Sequence, residues 1–109
     1  DLTAARAREL IEYNSTNGTL IWRPRGVPSF DAQFGGKHCG SLDSEGYLIV
    51  RADGRNYKSH RLAWLIEHGE WPNGQIDHIN RDKIDNSIKN LRVVSAQENN
   101  KNKKNPFWR

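Results

Sequence analysis

The sequence predicts a small, single α+β domain. An N-terminal helix–strand–loop region precedes a β-hairpin and helix, which lead into a strand–loop–strand–helix unit. Three observations predict this. Asp53-Gly54 lies between Tyr47-Leu48-Ile49-Val50 and Asn56-Tyr57-Lys58-Ser59, and such a pair is a strong hairpin signal because both turn residues must accept positive φ. Helical apolar spacing over 3–13 and 60–68 alternates with short strand-like runs. Gln75-Ile76-Asp77 and Leu91-Arg92-Val93-Val94 then bracket a polar loop rich in Asn and Asp. At 109 residues the chain has limited room for a core.

The elements follow in order. Residues 3–13 read as a helix, with Thr3 as its cap and Leu2, Ala7, Leu10 and Ile11 as its apolar stripe. Residues 14–18 are turn chemistry. Thr19-Leu20-Ile21-Trp22 is a short strand closed by Pro24. Residues 23–46 hold five Gly and two Pro and read as a long irregular loop. After the hairpin, Leu62, Ala63, Leu65 and Ile66 mark a helix, with Ser59 as N-cap and Gly69 and Pro72 as stop signals. Ser95 caps a final helix, and Glu98 three residues later completes a capping box.

Composition narrows the function classes. The formal net charge is +4 and the pI about 9.5. Such a charge fits a polyanionic partner, and equally a basic protein with none. One cysteine, Cys39, excludes an internal disulfide and a multi-cysteine zinc ribbon. No apolar run approaches the roughly 20 residues of a membrane span. Charges throughout residues 1–12 do not fit a signal peptide. A reducing, cytoplasmic setting is the expectation.

The chemistry concentrates in Asp77-His78-Ile79-Asn80, Asn90-Leu91-Arg92 and Glu98-Asn99-Asn100. Hydrolysis of a phosphodiester requires an activated water, charge neutralisation and a stabilised leaving oxygen. His78 is the natural general base, since imidazole titrates near neutrality. Asp77 is a hard oxygen ligand for one Mg²⁺ or Mn²⁺ ion, and Asn99 can offer an amide oxygen beside it. Asn100 competes with Asn99 for that role. Asn90 begins the second strand, where its amide could tie down the loop and the His78 backbone. Neighbours on a strand point to opposite faces, so Asp77 and His78 share a site only where the chain bends.

These residues, with Asn86, Ser95, Gly46-Tyr47-Leu48, His60-Arg61-Leu62-Ala63-Trp64 and Gly69-Glu70-Trp71-Pro72, resemble the HNH, or ββα-metal, nucleases of the phage homing-endonuclease branch. The resemblance implies a divalent-metal-dependent DNA endonuclease leaving 5′-phosphate and 3′-hydroxyl ends. In it His78 is the base, Asp77 and Asn99 hold the ion, and Asn90 is the structural middle residue. It also implies a phage-encoded protein acting on double-stranded DNA in a bacterial host. Residues 1–46 would form the N-terminal helix, strand and Gly-rich loop, and 47–109 the nuclease region, with its ββα core at about 75–103.

Other residues read less sharply. Lys83, Lys89, Arg92, Lys101, Lys103 and Lys104 cluster around the motif and suit phosphate contacts, which give affinity without sequence reading. His60 and Arg61 are accessory candidates, with His60 favoured as structural. Asn80 and Asn86 read as turn residues, and His68 as a helix-dipole partner. Two other functions stand beside the endonuclease: a non-catalytic DNA-binding module that keeps the fold, and a nuclease for RNA or structured DNA. Monomer and homodimer are both open.

Overall fold

In the computed structural model, which describes residues 1–94, Thr3 opens the first helix as expected. Its extended backbone turns into helix α1 (Ala4–Leu10), and its hydroxyl accepts from the Arg6 amide at 3.1 Å. The helix stops three residues short of the expected end. Residues Ile11–Asn14 are instead strand β1, paired antiparallel with strand β2 (Thr19–Trp22) in the register Ile11↔Trp22 to Asn14↔Thr19. Alternation explains the switch. Ile11 and Tyr13 turn inward while Glu12 and Asn14 face solvent, and pairing buries Ile11 completely.

The segment 23–46 is more ordered than expected. Helix α2 (Pro28–Gln33) begins with Pro28 in its first turn, where a missing N–H costs nothing. Asp31 accepts from the Arg25 and Gly26 amides at 2.7 and 3.0 Å and ties the preceding bend to this helix. Strand β3 (Ser41–Leu42) then pairs with strand β4 (Leu48–Ala52).

Strand β4 and strand β5 (Arg55–Lys58) form the expected hairpin, with Asp53 at φ 48° and Gly54 at φ 79° in its turn. Arg6 grips that turn by two bonds to the Asp53 carboxylate, at 2.9 and 3.1 Å. Strand β5 runs straight into helix α3 (Ser59–His68). Here Ser59 is not the cap. Lys58 occupies that position without a side-chain bond, and the fully buried Ser59 hydroxyl finds no partner among the described residues. With no linker after the strand, the pleat turns Ser59 into the core. Gly69, at φ 83°, ends the helix. Arg8 reaches across to donate twice to the Ile66 carbonyl, at 3.0 and 2.7 Å, and so satisfies the last turn.

The main core joins α1, β1 and β2 to β4 and α3, through Leu10, Ile11, Leu20, Val50, Leu62 and Leu65. A separate hairpin, strand β6 (Gln75–His78) with strand β7 (Leu91–Val94), carries Asp77 opposite Arg92 and His78 opposite Leu91. The final helix expected from Ser95 and Glu98 falls outside the described residues. No helix among the described residues is long and apolar enough to cross a membrane.

Candidate active site at the end of the last hairpin

His78 closes β6, and the chain turns sharply after it. The Arg81 amide donates to the His78 carbonyl at 2.9 Å, with Arg81 in the left-handed region at φ 65°. That bend brings two strand neighbours to one place: Asp77 and His78 line a pocket of about 200 Å³ together with Tyr47, Ile76, Arg81 and Lys83.

Asn90 makes its contacts within the loop. Its main-chain carbonyl accepts from the Ile79 amide at 2.8 Å, and its side-chain oxygen accepts from the Asn80 amide at 2.9 Å. Its NH₂ group donates to the Asn80 side chain at 2.9 Å and to the Asp85 carbonyl at 2.8 Å. One amide therefore satisfies the backbone on both sides of the turn that follows His78. Asp85 is held in turn by Ser87, whose hydroxyl donates to it at 2.7 Å, and by the Asn80 side-chain NH₂, which donates at 2.8 Å. The Ser87 hydroxyl and backbone bonds keep the Asp85 carboxyl below the usual carboxylate range.

Asn80 behaves as a turn residue, accepting from the Asp82 amide at 2.8 Å. Asn86 does not. It is 1% exposed, and its side-chain oxygen lies 2.9 Å from His78 Nε2. With that oxygen as the partner, Nε2 carries the ring proton and Nδ1 keeps its lone pair. The sequence offers no signal for this role, because Asn86 differs in nothing local from Asn80.

Two further neighbours set the character of the His78 environment. The His60 ring meets His78 edge-on at 5.0 Å, and Tyr47 lies 5.4 Å from His60 and 6.0 Å from His78. Burial first, then the neighbouring His78, Lys58 and Arg61, push the His60 pKa down to about 4. His60 is thus neutral near pH 7 and packs against His78 as an uncharged ring.

The expected phosphate-binding cations fall into distinct settings. Lys83 lines the pocket, donates to the Glu45 carbonyl at 2.7 Å and stands 4.9 Å from the Tyr47 ring centre. Lys89 is exposed on the 3-10 turn Ile88–Asn90. Arg92 pairs with Asp77 across the hairpin, its Nε and Nη2 each 2.9 Å from Oδ2. Arg61 donates to the Gly74 carbonyl at 3.3 Å beside Trp71. Lys101, Lys103, Lys104 and the expected second metal ligand Asn99 lie outside the described residues. Tyr47 and Arg81, which line the pocket, were not expected there from sequence.

The donor chemistry fits a hard divalent ion. Asp77 supplies carboxylate oxygen at a solvent-accessible pocket, as suits an ion that retains several waters. Among the described residues no group of three or more His, Cys, Asp or Glu comes together as a metal cage.

A strand pair with histidine at its turn, a loop fixed by an asparagine and a carboxylate beside the histidine thus form one unit. Residues 57–101 match the HNH endonuclease family model. The fold resembles the solved structure reported as "DNA binding and cleavage by the HNH homing endonuclease I-HmuI", with a TM-score of 0.61 at 20% identity over 91% of this chain. That match takes in 54% of the other chain, so this chain spans about half its length. No curated protein sequence matches this chain.

Proposed function

We propose that this protein is a divalent-metal-dependent DNA endonuclease, cutting phosphodiester bonds to 5′-phosphate and 3′-hydroxyl ends. The observation that carries the reading is the His78 side chain. It is buried, tied through Nε2 to Asn86, and shares one pocket with Asp77, Arg81 and Lys83. Held this way, Nδ1 is free to take a proton from an attacking water. Arg81 and Lys83 place positive charge where a phosphate would enter. Asp77 would hold one Mg²⁺ or Mn²⁺ ion, with Asn99 as its second protein ligand. When bound, such an ion supplies charge neutralisation at the phosphate and stabilises the leaving oxygen. Asn90 keeps the loop closed around His78. The HNH family match and the homing-endonuclease fold support this reading.

One observation favours a second reading. Arg92 neutralises Asp77 across the hairpin, as would suit a module that binds DNA and does not cut it. Supercoiled plasmid separates the two. The wild type is expected to nick it in Mg²⁺ or Mn²⁺, and EDTA or His78→Ala to abolish nicking. Salt-dependent binding with no nicking in either metal supports the second reading. Wild-type rates in EDTA, or in His78→Ala, defeat the mechanism.

A further inference from the structure

We infer that the turn of the N-terminal hairpin is a brace that positions His78, acting through Asn86 from outside the family-matched segment. The inference rests on the reading of His78 as the general base.

Three contacts pin the backbone around Asn86. The Tyr13 hydroxyl donates to the Asn86 carbonyl at 2.5 Å. The Ile88 amide donates to the Ser15 carbonyl at 2.9 Å. Between them Gly18 presses against the loop so closely that a Cβ there would lie 2.3 Å from the Ser87 nitrogen and 2.4 Å from the Asn86 carbonyl carbon. Gly18 also holds φ 78°, a conformation glycine alone adopts freely. Tyr13 remains a hydroxyl donor, since burial and then Glu67 and Asp85 push its pKa well above the ordinary tyrosine value.

These contacts add registration rather than loop integrity. The loop already closes on itself through the Asn90–Asp85 and Ser87–Asp85 bonds. What they fix is the position of residue 86 relative to the rest of the molecule, and its side-chain oxygen is what His78 Nε2 meets. A shift of a few tenths of an ångström there weakens the bond that selects the ring tautomer. Tyr13 and Gly18 are therefore positioning residues. They touch no reacting atom.

The test uses the full chain, with plasmid cleavage and long-range proton–nitrogen NMR of the imidazoles as separate readouts. Gly18→Ala is expected to mix the single Nε2–H tautomer of His78, and to lower kcat by about 10- to 100-fold with KM unchanged. Tyr13→Phe keeps the ring and loses one bond, so a drop of about three- to tenfold with a smaller tautomer shift is expected. Gly26→Ala is the control. It carries the same conformational penalty at φ 76° but meets nothing within 4 Å, and is expected to match wild type in both readouts. If Gly18→Ala does not fold, Tyr13→Phe decides. A folded variant whose His78 tautomer and kcat both equal wild type overturns the brace. If His78→Ala still cleaves, the general-base reading falls, while the tautomer shift still reports on the brace.

Discussion

Cys39 and Asn86 illustrate opposite situations for a single side chain. Cys39 is 6% exposed, and burial pushes its thiol up to about 12. Native protein should therefore react with a thiol reagent far more slowly than urea-unfolded protein. Equal labelling rates in the two states would contradict the burial. Cys39 is the single cysteine, so the lack of an internal disulfide could be anticipated from the sequence, whereas its burial could not. The role of Asn86 could not. Local turn chemistry suits Asn80 and Asn86 equally, and only the folded chain brings one of them to an imidazole eight residues away. Asp77 and His78 line one pocket because the chain bends after His78, which overrides the opposite facing of strand neighbours.

Elements whose signals are local were readable in advance. Asp53-Gly54 adopts the two positive φ values its hairpin needs, and Leu91–Val94 is the strand that its apolar run predicts. β1 was obscured because Leu10 and Ile11 extend a helical stripe; what makes Ile11 a strand residue is Trp22, eleven positions on. α2 was obscured by the glycines around it, although Pro28 is a sound start signal. The stop of α3 rests on one backbone conformation. A Cβ at Gly69 would meet only the tip of the Arg8 side chain, at 3.7 Å, so the cost of Gly69→Ala is conformational. A loss of about 1 kcal/mol is expected in urea unfolding, with cleavage unchanged. A loss of several kcal/mol would mean that the residue has a packing role.

Over the whole molecule, the buried His60 couples stability to acidity. Unfolded, its imidazole titrates near 6.5; folded, it does so near 4. Between those values the unfolded chain binds more protons, so stability is complete above about pH 6.5 and falls as pH drops toward 4, by up to about 3 kcal/mol. Urea midpoints measured from pH 7.5 to 4.5 should fall more steeply for wild type than for His60→Gln. Identical slopes would remove His60 from the account.

The shared core also limits how the family-matched segment can be handled. Leu62 and Leu65 belong to residues 57–101, yet they close against Leu10, Ile11 and Leu20 from the other end of the chain. The segment is therefore not a portable cassette. A chimera that transplants it alone onto another domain would carry Asp77 and His78 on an unsealed apolar face, whereas a graft cut before Leu2 transfers the seal along with the pocket.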